Sequence, residues 1–154
     1  MKNQKEFVQS LFSKKEQKNL WILPSITNGE VILENEKIVS WLHPSGHIGY
    51  MVYNDGNNIR AFMMDRMNSS KQASDKAGIC DWCKSVNSIN KLAMFSFKTT
   101  ENKTVGFYLC SDLDCLSSIN NPGPHSIRET LTREEKRIRY FHNFETFVSK
   151  YFAH

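Results

Sequence analysis

Cys80-Asp81-Trp82-Cys83 and Cys110-Ser111-Asp112-Leu113-Asp114-Cys115 contain all four cysteines of this 154-residue chain, with twenty-six residues between the two pairs. Tetrahedral Zn2+ takes four soft ligands, and two short hooks joined by a long loop supply them with little strain. The spacing predicts a structural metal site in the second half of the chain. Four thiolates leave no open position for water, so the same spacing argues against a catalytic zinc. Three other readings fit less well. Incidental thiols would not come in tight pairs. Rubredoxin-type iron usually takes two Cys-x2-Cys hooks. A redox Cys-x-x-Cys sits in a βαβ context, which is missing around Cys80.

The segments next to the hooks give the metal a scaffold. Leu92 to Lys98 and Thr104 to Leu109 read as strands, with Thr100-Glu101-Asn102-Lys103 as their turn. The second hook opens a helical stretch, Asp112 to Ile119, which Asn120-Asn121-Pro122-Gly123-Pro124 ends. Asp112 and Asp114 read as caps for that helix. A cysteine knuckle, a hairpin and a helix carrying the last cysteines at its start follow the order of a treble-clef zinc finger. Residues 68–78 are small and polar and read as a linker or mobile loop into the first hook.

Further out, Lys37 to Leu42, Ile48 to Tyr53 and Asn58 to Asp65 read as a three-stranded antiparallel meander. His43-Pro44-Ser45-Gly46 and Asn54-Asp55-Gly56-Asn57 supply its turns. Val31-Ile32-Leu33 is a short apolar run. Residues 3–20 read as two short helical pieces, the first carrying Phe7, Val8, Leu11 and Phe12 and the second capped by Ser13 with Glu16 as a capping box. Leu20-Trp21-Ile22-Leu23 is an apolar cluster that Pro24 ends. The clearest helix is the last one. Thr132 and Glu135 form its capping box, and Ile138, Phe141, Phe144, Val148 and Phe152 recur at steps of three and four as its expected core stripe. Phe147 lies off that line, either packed on the metal unit or presented.

Composition narrows the function classes. Apolar residues at 40 % can support a core and charged residues at 23 % are ordinary. The net charge of +4 and pI near 8.9 are mildly basic, fitting an acidic protein partner or RNA about equally. There is no apolar run of the ~18 residues that a membrane span needs. Met1 to Glu6 is a charged start with no apolar core after it, so it is not read as a secretory signal. The chain is expected in the cytoplasm, where thiols stay reduced. His43, His47, His125, His142 and His154 are scattered, and no nucleophile triad, phosphate-binding glycine loop or zinc-protease motif occurs. An enzyme is therefore not expected. Tyr108, in the strand leading to Cys110, is either a packed strand residue or an exposed anchor. Arg128, Arg133, Lys136, Arg137 and Arg139 are the densest positive cluster, but Glu129, Glu134 and Glu135 lie among them. That mixture weakens a phosphate-binding reading.

Gly78 to Cys83, then Gly106 to Cys115, then Arg128-Glu129-Thr130-Leu131-Thr132-Arg133-Glu134-Glu135 and the Phe-rich last helix together resemble the FBP domain family. These are elongation factor G-binding proteins with a C-terminal treble-clef zinc finger, and the FusB-type fusidic-acid-resistance proteins are its best-known members. Ser40-Trp41-Leu42-His43-Pro44 and the tyrosine-bearing strand after it also fit, so the likeness runs from about Trp41 to Phe152. The resemblance implies one structural zinc on Cys80, Cys83, Cys110 and Cys115. It implies docking on elongation factor G and release of that factor from the ribosome, through an aromatic and basic patch on the finger. By position, the aromatics are Tyr108 and Phe147. Lys136, Arg137 and Arg139 are the basic rim expected to steer an acidic partner. This chain has Ile79 where the resistance proteins carry an aromatic before the first cysteine, and Val105 where they carry a lysine. It also has only about 35 residues where they have a long helical domain, which points to a short, stand-alone branch.

The expected architecture is α+β: a short helical segment over 1–35, then an FBP-type domain over 36–154. That domain holds a small antiparallel sheet, a treble-clef four-cysteine finger at about 78–152, and a long C-terminal helix. The alternative function is an RNA- or ribosome-binding finger, which would show steeply salt-dependent RNA affinity and exposed aromatics for base stacking.

Overall fold

A computed structural model describes residues 6, 9–18, 20–22, 37–67, 77–121 and 130–152. The expected apolar run at Val31 to Leu33, the polar loop over 68–76, Phe7 and Val8, and Arg128 lie outside the described residues. The chain forms two compact units, residues 1–65 and 66–154. Its class is α+β, with antiparallel strands, a C-terminal helix and the four cysteines close together.

The first unit is built on the predicted meander. Strands β1 (Lys37–Leu42), β2 (Ile48–Asn54) and β3 (Ile59–Met67) pair antiparallel in order, with Trp41 opposite Tyr50 and Tyr50 opposite Met63. Gly46 and Gly56 take the positive φ values, 78° and 96°, that these tight turns demand. In the second turn, the Asp55 carboxylate accepts the backbone N–H groups of Asn57 and Asn58 at 2.7 and 2.6 Å. The core on one side gathers Phe12, Trp41, Tyr50 and Val52, with Leu11, Leu20, Trp21 and Ile22 packed against them. Trp41 stacks on Tyr50 at 5.4 Å, and Phe12 meets Tyr50 edge-on at 5.9 Å. The buried Trp41 Nε1–H finds its acceptor in the Trp21 carbonyl at 2.7 Å. Leu11, Phe12 and the stretch Leu20 to Ile22 are therefore part of this core. Helix α1 (Lys14–Gln17) carries the expected Ser13–Glu16 capping box.

Among its described residues the second unit holds two hairpins and two helices. Strand β4 (Ala77–Ile79) pairs with β5 (Val86–Ser88), so the last residues of the expected loop form a strand. One 3-10 turn, Ile89–Lys91, leads into β6 (Leu92–Lys98), which pairs with β7 (Thr104–Cys110). Along β6 the alternation is clear: Ala93, Phe95 and Phe97 are buried, while Met94 and Ser96 are half-buried and Lys98 is exposed. Helix α2 (Cys115–Asn120) starts three residues later than expected, with Asp114 as its N-cap. Helix α3 (Arg133–Tyr151) starts at the predicted Thr132–Glu135 capping box.

The buried face of α3 differs from the expected stripe. Lys136, Tyr140, Phe144, Phe147 and Val148 are buried, whereas Ile138 is 61 % exposed and Phe141 is only half-buried. Only Phe144 and Val148 belong to both sets. The rings decide the register. Trp82 from the first hook sits 5.1 Å from Phe144 and 5.1 Å from Phe147, and Phe147 also meets Phe97 and Phe107 at 4.9 and 5.2 Å. Burying these aromatics outweighs burying one isoleucine, because each removes far more apolar surface from water. At its far end α3 is tied to the β6–β7 turn, where the Thr100 hydroxyl donates to the Tyr151 carbonyl at 3.2 Å. In urea titrations of the zinc-loaded chain, Ile138→Ser is expected to change stability by less than ~0.5 kcal/mol. Phe144→Ala is expected to cost about 3–5 kcal/mol. The reverse order would restore the Ile138–Phe141 stripe.

Candidate metal centre

The first hook sits between β4 and β5. The Cys80 N–H donates to the Ser85 carbonyl at 3.1 Å, and the Lys84 N–H returns to the Cys80 carbonyl at 2.9 Å. Lys84 closes this turn with φ of 59°, a left-handed conformation that costs a non-glycine residue roughly 1–2 kcal/mol. Gly78 enters the hook with no room to spare, since a Cβ there would lie 2.5 Å from Leu92 Cδ1. The hook is also stitched to β7. The Asp81 N–H donates to the Tyr108 carbonyl, and the Tyr108 N–H donates to Asp81 Oδ2, both at 2.8 Å.

The second hook runs from the end of β7 to the first turn of α2. Leu113, fully buried, reverses the chain with φ of 61°, and its N–H donates to the Cys110 carbonyl at 2.8 Å. Of the two expected caps only Asp114 caps α2, while Asp112 braces the turn before it because the helix starts three residues later than expected. Asp112 Oδ1 accepts the Asp114 N–H at 2.9 Å, and Asp114 Oδ1 accepts the Ser117 N–H at 3.1 Å. The Ser118 hydroxyl lies 3.3 Å from Cys110 Sγ, placed to donate to a thiolate there.

All four cysteines are buried, and their sulfurs lie within 4.8 Å of one another. Cys80 and Cys115 are 3.8 Å apart and Cys83 and Cys110 are 3.7 Å apart, sulfur to sulfur. A regular tetrahedron with Zn–S bonds of about 2.3 Å has edges of about 3.8 Å. A disulfide would need about 2.05 Å. The electrostatics agree. Hydrogen bonds from Cys110, then Cys115 and Cys83, hold Cys80 far below the usual thiol range, and bonds from Cys110 and Cys115 lower Cys83. Cys115 is pushed well above that range by its bonds to Cys110, Cys80 and Cys83, with burial adding to them. For Cys110, the bond from Cys115 acts downward, but those to Cys80 and Cys83 and its burial carry it up. Four thiols this close cannot all ionise by themselves, and a divalent cation removes that conflict. The set fits one structural Zn2+, closed to water and so unsuited to activating it. Among the described residues no other group of histidine, cysteine and acidic side chains converges in this way. His43 serves its own turn, where its Nδ1 accepts the Ser45 N–H at 3.0 Å.

The residues expected at a partner surface separate into two groups. Tyr108 is 51 % exposed on β7, and Arg137 is exposed with Glu134 beside it at 3.8 Å. Phe147, expected as an anchor, is 4 % exposed, enclosed by Trp82, Phe97, Phe107 and Tyr151. Lys136, expected on the basic rim, is buried on the inner face of α3, with 8 % of its surface exposed. Arg139 is half-buried and turned to the metal unit, its Nη2 donating to the Cys83 carbonyl at 3.1 Å. Sequence reasoning passed over Asn143, whose Nδ2 donates to the Trp82 carbonyl at 2.7 Å. The only signal available for it was a spacing of four residues from Arg139.

X-ray absorption at the zinc edge is expected to show one zinc per chain with four sulfur neighbours at about 2.3 Å. Cys115→Ser should replace one of those sulfurs by a lighter atom and weaken binding sharply. Acidification should release the metal, because protons compete for the thiolates. A zinc with nitrogen or oxygen neighbours in the unaltered chain would contradict the assignment.

Searches of the curated proteins and of the solved structures return no significant match. A family described as FBP C-terminal treble-clef zinc-finger matches residues 5–151, nearly the whole chain and including the segment before the meander. With the four-sulfur cluster, the hairpin between its hooks and the helix that starts at the last cysteine, this chain belongs to the FBP C-terminal treble-clef zinc-finger family.

Proposed function

We propose that this chain is a non-enzymatic binding protein that docks on elongation factor G beside its zinc and promotes release of the factor from the ribosome, as fusidic-acid-resistance proteins of the FusB type do. The observation that carries the reading is Tyr108. It is the aromatic two residues before the third cysteine, where the family resemblance puts a contact residue, and half of it faces solvent. Its cross-strand partner is Met94, and Met94 Sδ lies so near Gly106 that a Cβ there would be 2.9 Å away. Tyr108, Met94 and Gly106 thus make a low apolar surface on the outer face of the β6–β7 hairpin. Ile79, 54 % exposed, stands two residues before Asp81, which is bonded to the Tyr108 backbone. It offers an apolar side chain where the resistance proteins carry an aromatic.

The zinc supplies rigidity to this surface and takes no part in chemistry. Both hydrogen bonds between Asp81 and Tyr108 run from inside the first hook to the strand that ends in Cys110. The metal therefore fixes the strand that carries the anchor. Preformed anchors of this kind lose little entropy on binding. The electrostatic part of the recognition rests on Arg137 and the overall charge of +4, with Lys136 and Arg139 occupied inside the fold. On this reading the protein works in the cytoplasm, because its proposed partner does. No described helix is long and apolar enough to cross a membrane.

Zinc-loaded chain is expected to retain elongation factor G in a pull-down that survives moderate salt. Tyr108→Ala should weaken binding by on the order of 2 kcal/mol, the scale of an interface hot spot, with the melting temperature unchanged. Arg137→Gln should slow association mainly at low salt. No retention, together with RNA binding that falls steeply with salt, would replace this reading with the RNA-binding one.

A further inference from the structure

Two consecutive carbonyls of the first hook are held by one helix. Asn143 Nδ2 donates to the Trp82 carbonyl at 2.7 Å, and Arg139 Nη2 donates to the Cys83 carbonyl at 3.1 Å. Arg139 and Asn143 are four residues apart on α3, so successive turns present both donors on one face. A Cys-x-x-Cys turn is too short to satisfy its own backbone. The Cys80 carbonyl takes the Lys84 N–H, and the carbonyls that follow need donors from elsewhere. Here those donors come from 56 and 61 positions along the chain.

The side chain of the hook is held by the same helix. The Trp82 ring lies 5.1 Å from Phe144, edge to face, and 5.1 Å from Phe147. The residue that closes the hook, Lys84 at φ 59°, is also in a disfavoured conformation. The hook's shape is not one the local sequence prefers, so outside support has something to hold. A zinc with four thiolates carries a net double negative charge, and the Arg139 guanidinium is a fixed positive charge bonded to the backbone of one ligand residue. Groups that orient ligands and offset their charge raise metal affinity without touching the metal.

We propose that Arg139 and Asn143 are positioning residues for the zinc: by holding the Cys83 and Trp82 carbonyls they keep the first hook in its metal-binding shape, so that zinc retention depends on the seating of α3. The inference stands apart from the identity of the partner. It gives Arg139 a role within the metal unit in place of the solvent-facing one its sequence neighbours suggested.

The test measures zinc release from the full-length, zinc-loaded chain into an excess of a chromogenic chelator. Arg139→Gln keeps a donor and loses the charge, Arg139→Lys keeps the charge and loses the planar fork, and Asn143→Ala loses its donor. Arg139→Gln and Asn143→Ala are each expected to speed release about 10-fold or more. Arg139→Lys should recover part of the loss, and Thr146→Ala on the exposed side of α3 should leave the rate unchanged. Saturating zinc should restore the melting temperature of each variant, because a ligand that binds the folded state offsets a lowered affinity by mass action. Release rates within about twofold of the unaltered chain would overturn the proposal, since orienting groups count for more than that. So would a loss of stability that excess zinc does not restore, because the pair would then be ordinary helix packing.

Discussion

Four thiolates held on a common metal are the constraint on which the second unit depends. The β4–β5 and β6–β7 hairpins and α2 are short, and the turn of each hook includes a residue, Lys84 after Cys83 and Leu113 between Cys110 and Cys115, in a backbone conformation it does not favour. Short hairpins and a helix of six residues have little stability by themselves. A structural zinc in small finger peptides contributes on the order of 10–16 kcal/mol at neutral pH, enough to hold such pieces in strained turns. The first unit has no such need. Its meander buries Trp41, Tyr50, Val52 and Phe12 in an apolar core of its own.

The metal and the aromatic core of the second unit are parts of one arrangement. Trp82 belongs to both. Its neighbours in sequence include two zinc ligands, Cys80 and Cys83, while its ring is the hub around which Phe97, Phe144 and Phe147 pack. Helix α3 completes the arrangement with polar contacts to the hook from Arg139 and Asn143, and with Tyr140 buried between them in sequence. Burial keeps the Tyr140 hydroxyl well above its ordinary pKa, and the cysteine charges act in the same direction. On the opposite face of the β6–β7 hairpin the same register turns Tyr108 outward. Strand alternation thus links the core that holds Phe95 and Phe107 to the surface that presents Tyr108 and Met94.

What could be read in the sequence was chemistry that acts over a few residues. The cysteine spacing, the turns at Gly46 and Gly56, and the capping boxes at Ser13–Glu16 and Thr132–Glu135 are all local, and all are present. The face of α3 was harder, because Ile138 and Phe141 compete with Tyr140 and Phe147 at helical spacing. Only the position of Trp82, more than fifty residues earlier in the chain, decides between them. Lys136 and Arg139 looked like solvent-facing charges because a sequence does not show that a lysine lies on the buried face of its helix or that a guanidinium reaches a backbone carbonyl 56 positions away. Strand β4 was hidden by its small residues, Ala77 and Gly78, the second of which is required by a tight approach to Leu92. The family match over residues 5–151 also takes in the segment before the meander, where the quoted motifs were silent.

The most direct test of this account is amide hydrogen exchange on the full-length chain, compared between its zinc-loaded form and the same protein stripped by a chelator. The account predicts that removing zinc abolishes protection in β6, β7, α2 and α3 while the meander over 37–65 keeps its own. Protection of α3 and the β6–β7 hairpin that survives removal of the metal would contradict the claim that zinc organises the second unit.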